Sequence, residues 1–316
     1  MTYAFLGHTM LEVDCKDLKV PEKASIIIIH YNQTATLELT LAMLNKQTNK
    51  DFELIITDDG SSLAELSRLH RMVGQYDYEI RVVCQQNQGA RRAHARNQGV
   101  RLAKHNVLIF LDADVVPDEQ CVGVHLQAHK SAGQLIVYNP KRYHVDMDNW
   151  QTKAQTAANL GYQDLEATHI NATQRSWELC WSFHISMTRS QAVMFDEDFI
   201  DWGWEDTELA YRLEHQHQYQ LIFEKQLVSW HVTTGKQQIE DEDKLWSRSA
   251  VRNALYFINK YPNDFALLES IVMLPSYRHV WQPALQELVD ESGFTKHTLN
   301  KAKEYICEHA HHLHHI

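Results

Sequence analysis

The sequence predicts an α/β protein: a mostly parallel sheet with helices on both faces. Short apolar runs rich in β-branched residues recur at 25–30, 53–57 and 107–111, and such a run, without polar alternation, marks a strand buried on both sides. Segments of helical length separate the runs, at 34–45, 63–73 and 90–104, an interval that suits strand–helix–strand crossovers. Polar or acidic residues close each run, and in parallel sheets ligands bind beyond those carboxyl ends, near the topological switch point.

In chain order, the first fifteen residues alternate weakly and predict a small edge hairpin. Strand 25–30 follows, then a helix in which Leu37, Leu41 and Leu44 recur at helical spacing. Strand 53–57 ends in Asp58-Asp59-Gly60-Ser61-Ser62, where Ser61 or Ser62 caps the helix 63–73. A third strand spans 78–84, a helix 90–104, and a fourth strand 107–111. After Val115 the pattern loosens. Strands are predicted at 134–139, 179–187 and 223–231, with a helical stretch at 150–161. Beyond Gly235 the segments 240–260, 265–274 and 295–315 are helical in period. The expected division is a main domain over 1–240, its halves 21–116 and 117–240, and a helical C-terminal extension over 241–316. The chain carries no internal repeat.

The balance of 30 Lys+Arg against 41 Asp+Glu in 316 residues leaves a formal charge of −11, which argues against nucleic acid, whose phosphates need a broad basic surface. No apolar run reaches the length of a membrane span, and the acidic start, with Glu12, Asp14 and Asp17, lacks a leader pattern. The five cysteines are scattered and never in C-x-x-C spacing, as in a reduced chain. The expected location is cytoplasmic, with peripheral contact at the inner face of the membrane allowed.

Several motifs carry chemistry. Asp112-Ala113-Asp114 follows the fourth strand, and continued strand geometry would turn both carboxylates to one face. Paired carboxylates repel unless a cation sits between them, and a hard divalent ion, Mg²⁺ or Mn²⁺, that bridges carboxylate to phosphate answers this. The bland alternative is an exposed turn. A carboxylate at Asp58-Asp59 can accept hydrogen bonds from a base or ribose, although a simple strand-to-helix turn explains the pair too. The stretch 81–104 holds six basic residues and no acid, either a solvated helix face or groups that offset phosphate charge. The stretch 196–208 holds seven acids and no base, interleaved with Phe199, Trp202 and Trp204. An aromatic platform beside carboxylates suits a sugar: the rings stack on C–H faces, the acids accept from hydroxyls, and one acid can serve as general base. Helix-dipole preference alone explains Glu205 and Asp206 but not two tryptophans around a glycine. His231 ends a late strand and is a candidate third metal ligand. The histidine-rich tail at 309–315 reads as a solvated helix end.

Taken in order, these motifs resemble the inverting nucleotide-sugar glycosyltransferases of the GT-A fold, family 2 and its galactosyl- and N-acetylgalactosaminyl-type relatives. The resemblance runs from about Ser25 to His231. It rests on the Tyr31-Asn32 step, on 57–62, and on Asn87, Gly89, Ala95, Arg96, Asn97 and Gly99, which are similar to N-x-G…A-R-N-x-G. Leu111–Asp114 matches L-D-A-D, and Ser186, Arg189, Phe195, Asp196, Glu197 and 202–213 resemble the acceptor-side motif. The departures are Val193-Met194 where a glycine pair is usual, Trp204 for the second glycine of W-G-G-E-D, and His105-Asn106 for a Gly-Glu.

The resemblance implies a GT-A-type, Rossmann-like sheet with a nucleotide-sugar half and an acceptor half. It implies Tyr31, Asp59, Arg96, Asp112 and Asp114 around a UDP-sugar, and Asp114 and His231 on the divalent cation. It further implies Asp206 as general base with Glu205 orienting sugar or acceptor, and Trp202 and Trp204 at a carbohydrate or glycoconjugate acceptor. The polar segment 235–244 is a candidate lid. A nucleotidyltransferase is the rival enzyme class, but residues 30–33 contain no glycine for a phosphate loop. The non-catalytic rival is a carbohydrate-binding protein on a transferase fold.

Overall fold

The computed structural model describes residues 4–6, 9–11, 23–130, 133–138, 142–159, 176–233 and 240–264, together with Leu267 and Ile271. Two short strands, β1 (Ala4–Leu6) and β2 (Thr9–Leu11), pair antiparallel in a hairpin of their own. β3 (Ala24–His30), α1 (Thr34–Leu44), β4 (Phe52–Asp58), α2 (Leu63–Val73), β5 (Ile80–Cys84), α3 (Arg92–Leu102) and β6 (Val107–Asp112) then alternate, within a residue or two of the pattern read from the sequence. Ser62 caps α2 by accepting from the Glu65 N–H at 3.3 Å. Ile26, Ile27 and Ile28 of β3 are fully buried because helices cover both faces of the sheet, and Ile29, near the strand end, is partly exposed.

After β6 come β7 (Val115–Pro117), α4 (Cys121–Ala128), β8 (Leu135–Tyr138), β9 (Arg142–Asp146), α5 (Trp150–Asn159), β10 (His184–Thr188), α6 (Glu205–His217), β11 (Gln220–Phe223), β12 (Ser229–Thr233) and α7 (Glu240–Lys260). The large sheet has the order β11-β8-β10-β6-β3-β4-β5. Its pairs are parallel except those of β10, which is antiparallel to both β6 and β8. A three-stranded sheet, β7-β12-β9, stands apart with its own apolar cluster.

Two expectations change. The single strand expected at 223–231 is two strands in different sheets, β11 and β12, because the apolar pair Leu227-Val228 continues through the turn between them. The strand expected from 179 begins only at His184, after a 3₁₀ turn at Ser176–Leu179. Residues 272–316, with the histidine-rich tail, lie outside the described residues, as do 235–239 of the candidate lid; the rest of that segment opens α7. α7 packs into the main core through Ala254, Leu255, Phe257 and Ile258. Among the described residues no helix is long and apolar enough to cross a membrane.

Register aligns the strand ends. Ile29 is level with Asp112, and His30 with Asp58, which in turn faces Cys84. Close approach of α3 to β3 makes this alignment: a Cβ on Gly99 would lie 2.4 Å from Ile27 Cγ2. Overpacking of a filled core costs about 1–3 kcal/mol, against about 1 kcal/mol gained by removing a glycine from a helix. Gly99→Ala is therefore expected to lower the urea midpoint with an unchanged m-value.

Candidate active site

At the end of β3, His30 Nε2 accepts from the Gln33 N–H at 3.3 Å, so Nδ1 carries the proton that it donates to Asp58 at 2.7 Å. Asp58, fully buried, also accepts from the Gly60 and Ser61 N–H groups at 3.0 and 2.9 Å. Burial works against its charge, but the bonds from His30 and Ser61 outweigh it and hold the carboxyl below its usual range. Asp58 thus stitches the first two loops together, leaving its neighbour to face the cleft. Asp59 is 6% exposed and accepts from the Arg91 N–H at 2.7 Å and from the Gln85 amide. Gly60 has φ of +86°, and a Cβ there would meet the Asn87 backbone at 2.4 Å; only glycine lets these loops touch. Tyr31, 47% exposed, accepts from the Asn87 amide at 3.2 Å. These contacts set Tyr31, Asp59 and Asn87 around one concavity.

Strand geometry stops at Asp112, and the chain turns through Ala113 and Asp114 before β7. The two carboxylates therefore find separate partners instead of sharing a face by strand alternation. The turn is fixed from behind. Thr40 of α1 bridges the carbonyls of Ala113 and Val115 at 3.2 and 3.1 Å, and the Val232 N–H donates to the Asp114 carbonyl at 2.8 Å. That last bond brings β12 alongside, so Asp114 Oδ2 lies 3.4 Å from His231 Nε2. Both side chains are partly exposed, and a carboxylate oxygen and an imidazole nitrogen form a donor pair that fits Mn²⁺ or Mg²⁺. His231 Nδ1 faces His144 Nδ1 at 3.2 Å, across the β12–β9 pairing. With Nδ1 so engaged, Nε2 is the nitrogen available to a metal. His144 was not found from the sequence; the alternation of buried Tyr143 and Val145 with exposed His144 is the signal that marks it.

Arg96 joins the two halves. Its guanidinium is 3% exposed and forks between Asp112 at 3.1 Å and Glu205 at 2.9 Å, and lies 5.4 Å from the Phe195 ring centroid. Burial opposes the charge, yet Asp112, Glu205 and Asp206 outweigh it and raise the Arg96 pKa. Asp206, partly exposed, accepts from the Ser182 N–H at 2.8 Å and from the Thr207 N–H at 2.8 Å. Burial and the adjacent Glu205 charge push its pKa up to about 6, against Arg96 and the two N–H donors. A carboxylate in that range is matched to proton removal near neutrality.

The two tryptophans differ. Trp202 is partly exposed beside the cleft acids, while Trp204 is 5% exposed and packs edge-on to Phe257, ring centroids 6.2 Å apart. Trp204 also has φ of +75°, a left-handed conformation that costs a non-glycine residue about 1–2 kcal/mol. α7 holds this loop from the far side: the Asn253 amide donates to the carbonyls of Ile200, Trp202 and Gly203 at 3.0, 3.1 and 2.9 Å. Arg252 reaches Asp201 at 3.2 Å, and Lys260 reaches Asp196 at 2.6 Å and Glu208 at 2.7 Å.

The opposite charges of 81–104 and 196–208 largely answer one another. Arg101, His94 and Asn97 all bond Glu197, at 3.0, 2.6 and 2.8 Å, and Arg96 takes Glu205. Arg81 and Lys104 pair with Glu53 and Glu79. Arg91 and Arg92, at the start of α3, make no ion pair among the described residues, so they are the part of the basic stretch left for an anion.

A mostly parallel sheet with a carboxylate pair at its edge, facing an acidic helix start, has the architecture of GT-A glycosyltransferase structures. The chain belongs to glycosyl transferase family 2, whose sequence pattern matches residues 25–196. Validoxylamine A glucosyltransferase of Streptomyces hygroscopicus subsp. jinggangensis is 29% identical over 267 residues, 76% of this chain and 61% of that protein. Hyaluronan synthase of Pasteurella multocida is 28% identical over 221 residues, 60% of this chain but 22% of that protein. The chain thus spans less than two thirds of these relatives. A mannosyltransferase of Pyrobaculum calidifontis, solved with GDP-Man and Mn²⁺, aligns over 93% of this chain and 82% of its own, with a TM-score of 0.53 at 15% identity. GalNAc-T7, solved with UDP, GalNAc and Mn²⁺, covers 82% of this chain and 55% of its own, with a TM-score of 0.51 at 18% identity.

Removing the shared cation should expose its importance. Arg96→Gln leaves Asp112 and Glu205 without a partner, and breaking a buried ion pair costs about 3–5 kcal/mol. A fall of that order in unfolding free energy is expected by urea titration.

Proposed function

We propose that the protein is a metal-dependent inverting glycosyltransferase that moves a hexose or N-acetylhexosamine from a UDP-sugar to an acceptor hydroxyl in a single displacement. The observation that carries this reading is Arg96, whose one guanidinium holds a strand-end carboxylate of the nucleotide half against the acidic helix start of the acceptor half. A donor seated on one side and an acceptor on the other would meet across that bridge.

In this reading the exposed ring of Tyr31 stacks on the base, and Asp59 takes a base or ribose donor beyond its two protein partners. Asp112 faces the ribose or a metal-bound water. Asp114 and His231 hold the divalent ion, which when bound offsets the negative charge that gathers on the departing diphosphate. Arg91 and Arg92 add positive charge at the mouth. On the other side Trp202 offers its face to an acceptor sugar, and Trp204, locked in the core, shapes the turn more than it contacts ligand. Asp206 removes the acceptor proton, and Glu205, fixed by Arg96, orients the sugar. The match of fold to one structure solved with GDP-Man and Mn²⁺ and another with UDP, GalNAc and Mn²⁺ supports a nucleotide-sugar donor; UDP and the hexose are inferences from the sequence motifs. The acceptor is a carbohydrate or glycoconjugate, which places the reaction in glycan synthesis.

The test is UDP release from a panel of UDP-sugars with and without Mn²⁺. Turnover of one donor that depends on metal and disappears in Asp114→Ala is expected; metal dependence unchanged in that variant removes Asp114 as a ligand. A general base contributes about 10²–10⁴-fold, so Asp206→Asn should lose that much turnover while UDP binding by calorimetry stays intact. Because Asp206 works as its carboxylate and its pKa stands near 6, the wild-type rate should fall as pH drops through about 6. A rate flat from pH 5 to pH 8 would show that another group takes the proton.

A further inference from the structure

At the start of α4 and of β10, level with Leu111, lies a cluster for which the proposed transfer reaction has no role. Cys121 and His125 sit one turn apart on the same face of α4, and His184 opens β10 opposite them. All three are 0% exposed. Cys121 Sγ lies 3.3 Å from His184 Nε2, and His125 Nε2 lies 3.0 Å from the same atom. Among the described residues this is the only group of three such donor atoms within 4.8 Å of one another.

We propose that Cys121, His125 and His184 form a buried three-ligand binding site for Zn²⁺, separate from the divalent ion of the cleft. A tetrahedral zinc with bonds of about 2.3 Å to sulfur and 2.0–2.1 Å to nitrogen sets its donors roughly 3.6 Å apart for S···N and 3.3 Å for N···N. The cluster is within about 0.3 Å of both separations. One sulfur and two nitrogens are a borderline-soft set, which selects zinc over the hard ions suited to Asp114. Water or a small anion completes the fourth position.

The surrounding hydrogen bonds are compatible with a metal and leave His125 Nε2 as an acceptor, to which His184 Nε2–H donates in the metal-free protein. His125 Nδ1 meets Ser186 Oγ at 2.8 Å, Ser186 Oγ meets His129 Nε2 at 2.8 Å, and His129 Nδ1 meets Thr188 Oγ1 at 3.2 Å. If protons run along that chain from His125 outward, each atom has a partner and the His125 Nε2 lone pair faces the cluster. Run the other way, His125 Nε2–H and Cys121 S–H compete for the single lone pair of His184 Nε2. A ligating histidine usually donates its other ring N–H to an oxygen in this manner. Burial keeps both imidazoles in the neutral form that ligates. On binding, the Cys121 S–H bond breaks, a Zn–S bond forms and the proton leaves to solvent. The ion would tie α4 to the residue that follows Phe183, whose carbonyl accepts from the Asp112 N–H at 3.1 Å.

The decisive experiment is metal analysis and Co²⁺ substitution on the full chain. One equivalent of zinc should survive dialysis, and Co²⁺ should give a thiolate-to-cobalt charge-transfer band with the intense visible bands of a tetrahedral site. The histidine-rich tail contributes no thiolate, and Cys307 nearby is controlled by Cys307→Ser, which should keep the band. Cys121→Ser should abolish it. Ser186→Ala, which leaves the three ligands in place, should weaken Co²⁺ binding about 10–100-fold. A folded wild-type protein without the thiolate band overturns the site, whatever the variants do. So does a band that persists in Cys121→Ser, or Co²⁺ affinity unchanged in Ser186→Ala.

Discussion

One guanidinium organises the cleft. Arg96 is buried beneath it with a carboxylate from each half on its two arms, and neither acid has another cation as close among the described residues. Ions taken out of water are tolerated only when paired and hydrogen-bonded. The end of β6 and the start of α6 therefore have one low-energy arrangement, the one in which both reach Arg96. Side chains that stay more open, Asp114, His231, Asp206 and Trp202, take their places around that fixed point.

The same logic of answered charge extends outward. The acid-rich segment before α6 and the base-rich segment of α3 are each unsustainable alone in a chain of net charge −11, and together they neutralise through Glu197, Arg101 and His94. α7 supplies what remains with Arg252 and Lys260. Burial opposes the ionisation of Glu197, but its three partners hold it at about 2, so Glu197 stays ionised throughout the range in which Asp206 titrates.

The fold up to β6 was legible in the sequence because its strands are uninterrupted β-branched runs whose burial requires helices on both faces. A serine cap at 61 or 62, which the structure assigns to Ser62, and the grouping of strand-end residues followed from the same pattern. The fold after β6 was less legible for identifiable reasons. Leu227-Val228 carries apolar character through a turn and fuses two strands into one. Asp112 and Asp114 part company at a turn that a strand-based reading extends straight through. The basic run of α3 looked ready for phosphate because its acidic partners are distant in sequence. Asn253, with three backbone carbonyls on one amide, matters through tertiary contacts that no local pattern encodes, and the alternation at 143–145 turns His144 outward without telling that it meets His231. The i, i+4 spacing of Cys121 and His125 carries no signal by itself among scattered cysteines, and only the fold brings His184 to them.

The left-handed backbone at Trp204 has a consequence for how such a chain diversifies. Local preference would not start α6 there; the conformation persists because Trp204 is wedged against Phe257 and the loop carbonyls are gripped by Asn253. The aim of Glu205 and Asp206 is thus recorded in a helix that contributes neither acid. Drift in the packing face of α7 can tilt Glu205 and Asp206 by small steps while the acids themselves stay unchanged, so the site can be retuned from behind.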